Sequence, residues 1–179
     1  MKNSQLILLL AFFIPTPPAP VFGECLKHPL CQSADVKTWC VEEFPAVVAV
    51  TIGSPLSFVR EALGNPVKET QARYDDMSQT SVIDLEYDGL ILEAIKQDQD
   101  EQFEISRVTS TSHTWAFDQC PSVGAPRSEV ISKLGAPDSA RFIDDTEVLF
   151  YSLCPFDFNL KLSVRDGKII EVLLWLDWT

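Results

Sequence analysis

"IGSPLSFVREALGNP" at residues 52–66 is followed by "VGAPRSEVISKLGAP" at residues 123–137, and the two stretches agree at seven of fifteen positions. Average residue usage would give about one match in fifteen. The chain therefore repeats one element. The shared residues, first copy before second, are Gly53 and Gly124, Pro55 and Pro126, Ser57 and Ser128, Val59 and Val130, Leu63 and Leu134, Gly64 and Gly135, and Pro66 and Pro137.

Each copy has the pattern of a short helix. Pro55 is suited to the first helical position, where its missing N–H costs no hydrogen bond. Val59 and Leu63 lie four residues apart and therefore share one face. Gly64 can take the left-handed conformation that ends a helix, and Pro66 prevents continuation. We predict one helix of about nine residues in each copy.

The segments that follow the helices read as strands. "FDFNLKLSV" at residues 156–164 alternates apolar and polar residues, which predicts an antiparallel strand with one buried face. "RDGK" then contains an Asp-Gly hairpin turn, and "VIDLEYDG" at residues 82–89 alternates in the same way. The sequence predicts an α+β fold of two tandem helix-plus-antiparallel-meander units, at 46–117 and 118–179. The units would share or appose their sheets, with the helices on one face.

The first unit carries extra residues. "ARYDD" at 72–76 matches "ARFIDD" at 140–145, and the spacing between the copies falls from 71 to 64 within "DDMSQTS" at 75–81. We predict a longer loop there that contacts a partner through Asp75, Asp76 and Met77, since loops added to repeated scaffolds often bind. The two carboxylates could reach into a basic pocket. A disordered surface insertion is the alternative.

The last strand, "KIIEVLLWLDW" at residues 168–178, is apolar on both faces. Its first face points toward the helices, and on the opposite face Leu173 and Trp175 are candidate interface anchors. Arg107, on the corresponding row of the first unit, joins them as a candidate. The alternative is that both faces are covered and Trp175 belongs to the core. The first face holds Ile170, Val172, Leu174, Leu176 and Trp178, the opposite face Ile169, Glu171, Leu173, Trp175 and Asp177, and the first-unit row Ile105, Arg107, Thr109 and Thr111.

The N-terminus predicts export. Lys2, the apolar run "LILLLAFFI" and "PTPPAPVFG" fit a signal peptide at 1–23, and the run is too short to span a bilayer. Glu24 precedes Cys25 where a lipoprotein signal has a small residue, so a soluble product is favoured over a lipid-anchored one. Residues 24–45 are predicted to form a disulfide-tied cap on the first unit, with a helix that begins at Ser33.

The mature chain would carry 13 basic and 26 acidic residues, a net charge of −13. Such a surface disfavours nucleic acid and anionic lipid and favours a basic partner, although acidity can serve solubility alone. Cysteines of an exported chain are expected to form disulfides. We predict one between Cys120 and Cys154, which flank the second helix. A second would join Cys40 to Cys31 or Cys25, and we take Cys31.

The quoted helix motif, its aromatic-bearing strand and the following hairpin resemble the SmpA/OmlA unit. Small lipoproteins of the outer-membrane barrel-assembly machinery (BamE) carry this unit once, and the β-lactamase-inhibitory protein family carries a similar unit twice. The resemblance covers about 130 residues and implies a broad sheet whose concave face grips another protein. The chain departs from it in lacking the lipoprotein signal and in having additional N-terminal cysteines.

No catalytic motif occurs in the chain, and the sequence predicts no enzyme, cofactor or metal site. His113 is expected in a strand or loop, and "DQDEQ" at 98–102 as an exposed hairpin turn. Two functions stay open. The first is an exported, extracytoplasmic protein-binding module of inhibitor or immunity type, whose partner could be an enzyme. The second is a structural accessory of an envelope assembly.

Overall fold

The apolar segments of the chain form one broad sheet and two short helices. The computed structural model describes residues 39–40, 47, 50–117, 120–154 and 158–176, so the predicted signal peptide lies outside the described residues. The helices are α1 (Leu56–Leu63) and α2 (Arg127–Leu134). The strands are β1 (Trp39–Cys40), β2 (Lys68–Glu69), β3 (Arg73–Asp75), β4 (Thr80–Tyr87), β5 (Leu90–Gln97), β6 (Glu104–Ser110), β7 (Ser139–Ile143), β8 (Thr146–Cys154), β9 (Phe158–Arg165) and β10 (Lys168–Leu176).

All ten strands belong to one sheet. Its order is β1-β8-β9-β10-β6-β5-β4-β2, with β3 added beside β4 and β7 beside β8. The strand pairs are antiparallel except β1 with β8, which is parallel. The α+β prediction of tandem helix-plus-meander units is therefore wrong. Two helices of eight residues each accompany a single continuous sheet, so the protein is largely β. Neither helix of the described chain is long enough to cross a membrane.

The core lies between the two helices and one face of the sheet, which we call the helix face. Val59 of α1 and Val130 of α2 are fully buried there. Alternate residues of the central strands meet them, because side chains of a strand point to opposite sides in turn. These sheet residues are Ile83, Leu85, Leu90, Leu92, Ala94, Ile105, Val108, Leu149, Tyr151, Phe158, Leu160, Leu162, Val164, Ile169, Val172 and Leu174.

Both helices end at a glycine in a conformation that other residues avoid. Gly64 has φ 76° and ψ −161°, and Gly135 has φ 71° and ψ −158°. This region is essentially restricted to glycine, and it differs from the left-handed helical conformation that the sequence predicts. The prolines also lie one position earlier than predicted, because Pro55 and Pro126 are extended N-cap residues.

Each helix is attached to the sheet through the same contacts at both ends. At the start, the amide of Gly53 donates to the carbonyl of Ile105, and the amide of Gly124 donates to the carbonyl of Ile169. At the end, the Tyr87 hydroxyl donates to the Gly64 carbonyl at 3.1 Å, and the Tyr151 hydroxyl donates to the Gly135 carbonyl at 3.3 Å. The repeated phrase thus takes the same local structure twice.

The strand predictions from alternation are confirmed. In β9 the side chains of Phe158, Leu160, Leu162 and Val164 are buried. The turn that follows consists of Asp166 and Gly167 with φ 50° and 72°, as a two-residue hairpin of the primed type requires. The run 98–102 forms the exposed connection between β5 and β6, also as predicted.

The seven extra residues of the first half are not one loop. Three of them, 70–72, separate β2 from β3, whereas β7 is continuous. Two more lengthen the turn after β3, which spans 76–79 against 144–145 after β7. The last two, Thr80 and Ser81, extend the start of β4 ahead of Val82, the position that corresponds to the first residue of β8. The insertion therefore produces a longer hairpin, with its tip at residues 75–80.

The N-terminal segment differs from its prediction where the structure describes it. Trp39 and Cys40 form β1, a strand, rather than the end of a helix. This strand lies beside β8, at the opposite edge of the sheet from β2. Trp39–Cys40 therefore adjoins the second half of the chain instead of capping the first. The rest of the predicted cap helix lies outside the described residues.

Substituting alanine at Gly64 tests the importance of the helix end. No atom lies within 4 Å of the position that a Cβ would occupy, so the cost comes from the backbone conformation alone. We expect Gly64→Ala to lower the free energy of unfolding by about 1–3 kcal/mol, measured by denaturant titration. An equally exposed change inside α1, Ala62→Gly, should cost about 1 kcal/mol. A loss well below about 1 kcal/mol would contradict the assigned role of Gly64.

Candidate functional site

The face of the sheet opposite α1 and α2, which we call the second face, carries the candidate site. Its residues alternate with the buried ones along each strand, and most keep part of their surface in contact with solvent. Among the central strands, Ile91 of β5 is a large apolar residue that stays exposed there, with 44% of its surface accessible. Two exceptions are Val148 and Ser163, which are buried near β7 and β8.

Register partners arrange the second face in transverse rows. One row joins Ile91 of β5, Thr109 of β6, Leu173 of β10, Lys161 of β9 and Phe150 of β8. Register partners in an antiparallel sheet lie on the same side with their Cβ atoms about 4.5–5.5 Å apart. The row therefore forms a strip across the sheet that alternates apolar and polar side chains.

The neighbouring row contains the most distinctive pair of side chains. It joins Asp84, Glu93, Arg107, Trp175 and Asn159 on β4, β5, β6, β10 and β9. Trp175 is half-buried and lies outside the buried cluster of the core. It is therefore not the core residue that the alternative interpretation of the sequence would make it. Trp and Arg are the residue types most often found at the energetic centre of protein interfaces.

Ion pairs between neighbouring strands compensate most charges of the second face. Arg107 pairs with Glu93 at 3.2 Å, and Lys161 pairs with Glu171 at 2.9 Å. Further out, Arg73 pairs with Asp84 at 3.1 Å, and Lys68 pairs with Glu86 at 2.6 Å. The face is therefore less negative than the net charge of −12 suggests.

A β-bulge on each of β6 and β10 decides which residues reach the second face. Ser106 and Ile170 are the additional residues, because the register shifts beside them. The two rows that the sequence predicts for the second face are therefore wrong at the residues with which they begin, Ile105 and Ile169. Ile105 and Ile169 are buried in the core, and the alternation that brings Arg107 to the second face restarts after the bulge.

The hairpin tip carries the other predicted residues. Met77 is 97% exposed, and its amide donates to the Asp75 carboxylate at 3.0 Å. This bond and a further one from Ser78 lower the pKa of Asp75 below its usual 3.8. The hairpin is also fastened to the β5–β6 connection, because the Tyr74 hydroxyl donates to the Asp98 carboxylate at 2.9 Å.

A cavity of about 620 Å³ connects the hairpin with the second face. Its wall is acidic with apolar and aromatic patches, and the only basic side chain in it, Arg73, is paired with Asp84. Residues of β3, β4, β5 and the hairpin turn form the wall: Arg73, Tyr74, Asp75, Asp76, Met77, Val82 and Glu93.

The structure thus brings the six predicted binding residues to two adjoining places. Leu173, Trp175 and Arg107 lie at the centre of the second face, on β10 and β6. Asp75, Asp76 and Met77 line the cavity, and Glu93 links the two groups because it lines the cavity and pairs with Arg107.

Several residues of this surface were missed from the sequence. Ile91 and Ile95 belong to the second face of β5, and Glu93 lies between them. The run "LILEAIKQ" does not reveal them, because five of its first six residues are apolar and it shows no clear alternation. Glu93 could have been found through the alternation of its partner strand β4, where Asp84 is its register partner.

The cysteine predictions need correction. Cys120 is a free, buried thiol, so the structure does not contain the predicted Cys120–Cys154 disulfide. Cys154 lies on β8, where its backbone is the register partner of Cys40 on β1. Cys120 instead packs among the core residues, and burial raises the pKa of its thiol to about 12. Cys31 lies outside the described residues.

Within the described part of the chain, no group of three or more His, Cys, Asp or Glu residues is arranged to hold a metal ion. His113 lies in the exposed loop after β6, as predicted.

No family model matches this sequence, and no curated protein matches it. Solved structures do share parts of the arrangement. A cysteine-rich secretory protein from Staphylococcus aureus matches over 79% of this chain and 51% of its own, with 11% identity and a TM-score of 0.49. An extracellular protein with an SCP domain from Bacillus anthracis matches over 79% and 49%, with 11% identity and a TM-score of 0.47.

A candidate β-lactamase inhibitor protein from Streptococcus mutans matches over 68% of this chain and 82% of its own. Its identity is 14% and its TM-score is 0.28. The chain spans about half the length of the S. aureus and B. anthracis proteins. Similarity at these levels carries no conclusion about activity.

Cys120 provides a test of the core. A thiol with a pKa near 12 is almost entirely protonated at neutral pH, and only the thiolate reacts readily. We expect iodoacetamide, added without reductant, to modify Cys120 in denaturant but not in the native protein, as measured by peptide mass spectrometry. Recovery of a peptide in which Cys120 is linked to Cys154 would contradict the structure.

The hairpin tip should show its hydrogen bonds in a titration. Because the pKa of Asp75 is lowered in the folded state, its ionised form favours the hairpin above the unfolded pKa, and this contribution is lost as the pH falls through the folded value. We expect an NMR titration midpoint for the Asp75 carboxyl below 3.8, moving back toward 3.8 in Ser78→Ala. An unchanged midpoint in that variant would mean that Ser78 does not bind the carboxylate.

Proposed function

We propose that this chain is an exported protein-binding module, of inhibitor or immunity type, that holds another protein against its second face and hairpin tip. One observation carries the proposal. Arg107, Trp175 and Leu173 lie side by side at the centre of a sheet face whose side chains remain partly exposed.

The composition of this surface supports a protein as the partner. Protein interfaces combine a central aromatic and Arg cluster with a polar rim that excludes water. Here Trp175 and Leu173 supply the centre, and the ion pairs Arg107–Glu93 and Lys161–Glu171 flank it. Nucleic acid is disfavoured because the chain has 26 acidic residues against 14 basic ones.

The cavity at the hairpin indicates which kind of partner fits. Asp75, Asp76 and Glu93 contribute three carboxylates to its wall, and Arg73 contributes one guanidinium. A basic side chain of the partner would gain from this excess, while Tyr74 and Met77 supply apolar contact for its aliphatic stem. Export of the chain rests on Lys2 and the apolar run at 6–14.

Photo-crosslinking tests where a partner binds. Benzoylphenylalanine in place of Ile91 would lie within the second face, whereas the same residue in place of Phe58 lies on the exposed side of α1, where Phe58 is 39% accessible. We expect the variant with the photo-reactive residue at position 91 to crosslink to a protein in extracytoplasmic extract. The variant with that residue at position 58 should give no crosslink to the same protein. Crosslinks to one soluble enzyme or toxin would support an inhibitor, and crosslinks to membrane-assembly components would instead identify an accessory protein.

Trp175→Ala tests the central anchor. Removing an interface anchor typically costs about 2 kcal/mol or more, which corresponds to about a thirty-fold weaker affinity. We expect this loss against the captured partner in titration calorimetry, together with a nearly unchanged melting temperature. Phe58→Ala is the matched control and should bind as the original chain does. A large fall in melting temperature for Trp175→Ala would remove Trp175 from the proposed site.

A further inference from the structure

Strand β7 forms an exposed edge at the end of the sheet far from the hairpin tip. Among the described strands it pairs with β8 alone. All five of its residues are exposed, including Phe142 at 75% and Ile143 at 49%. An edge strand presents a row of backbone donors and acceptors that another extended chain can use.

The opposite edge of the sheet is protected in ways that β7 is not. Its strands β2 and β3 have two and three residues. Each carries a basic residue in an ion pair with β4, Lys68 with Glu86 and Arg73 with Asp84. Short strands and charged side chains are the usual means of preventing edge-to-edge pairing. β7 is longer and has one charged residue, Arg141.

The register determines which backbone groups of β7 face outward. Ile143 and Thr146 close a two-residue turn, so they form a hydrogen-bonded pair. Such pairs recur at every second residue of an antiparallel ladder, and Arg141 with Val148 is the next one. The amides and carbonyls of Ala140 and Phe142 therefore point away from β8, toward the position of an added strand.

Arg141 decides which chain can occupy that position. If the β7 strands of two copies paired across a two-fold axis over all five residues, the axis would pass beside Arg141. The guanidinium of Arg141 would then lie directly opposite that of the second copy. Like charges directly opposite each other destabilise a strand pair. A pairing centred on Phe142 would instead need Asp144 as a strand residue, although Asp144 is a turn residue with φ 52°.

We propose that the β7 edge binds an extended segment of a different protein as an antiparallel strand, with a carboxylate opposite Arg141. Two hydrogen-bonded pairs, at Ala140 and Phe142, would hold the segment, and apolar residues on either side of its carboxylate would cover Phe142. Arg141 is already held on the second-face side, since its guanidinium carbon lies 5.0 Å from the centre of the Phe150 ring. This site is separate from the proposed function and does not depend on it.

A charge-swap experiment tests this site with the chain's own strand as the probe. Arg141→Glu replaces the like pair by Glu opposite Arg when the variant is mixed with the original chain. We expect native mass spectrometry of the mixture, with one chain isotopically labelled, to show about tenfold more heterodimer than either homodimer. A mixture with no excess of heterodimer would overturn the proposal, and so would a homodimer of the original chain that is equally abundant.

A proline variant separates strand addition from other contacts. Phe142→Pro in the Arg141→Glu background removes an outward N–H and leaves the hydrogen bonds of residues 141 and 143 with β8 in place, and proline is tolerated on edge strands. We expect this double variant to remain folded by circular dichroism and to form no heterodimer. Trp175→Ala should leave the heterodimer unchanged. A heterodimer that persists in the proline variant would show that the edge is not the contact.

Amide exchange tests the edge without any substitution. In the free protein we expect the amides of Ala140 and Phe142 to exchange fast, and those of Arg141 and Ile143 to exchange slowly because they bond to β8. In the charge-swap mixture the first two should become slow. If Ala140 and Phe142 are already protected in the free protein, a segment of the chain itself occupies the edge, and the proposal is wrong.

Discussion

The pairing of β6 with β10 is the contact on which the rest of the structure depends. Four register pairs, from Val172 with Ser110 to Trp175 with Arg107, join the strands of the two halves into one ladder. Helices of eight residues are marginal on their own and need an apolar surface to pack against. The joined sheet supplies it, since Val108 and Leu174 bury their side chains on either side of the seam. Without this pairing, both strands would be edges with unpaired backbone groups.

The two bulges beside that seam link the helices to the second face. Ile105 and Ile169 each precede an additional residue, and each exchanges backbone hydrogen bonds with the segment that leads into a helix. Their side chains therefore turn into the core, and the alternation restarts on the other side of the bulge. Arg107 lies beside Trp175 through the continuous β6–β10 ladder, and the bulges decide only that Ile105 and Ile169 are buried in the core.

The charges of the sheet are arranged to leave apolar groups available. Cross-strand pairs such as Arg107–Glu93 and Lys161–Glu171 are exposed enough to contribute little to stability. In the proposed function their effect would be on recognition, because a partner would meet a nearly compensated face around Trp175 and an acidic cavity at the hairpin. The edge formed by β7 differs again, because this exposed and largely apolar strand carries a single charged residue, Arg141. One sheet therefore offers surfaces of distinct chemistry.

The sequence by itself determined the local elements: the paired helices, the glycines that end them, the buried row of β9 and the Asp166–Gly167 turn. These depend on neighbours within a few residues, through backbone restriction and side-chain alternation. Only the tertiary structure decided that the strands join in one ten-stranded sheet, that Ile169 is buried, and that Cys120 stays a thiol. Strand order, bulges and thiol pairing depend on contacts between residues far apart in the chain, and no local pattern encodes which distant strand supplies the missing hydrogen bonds.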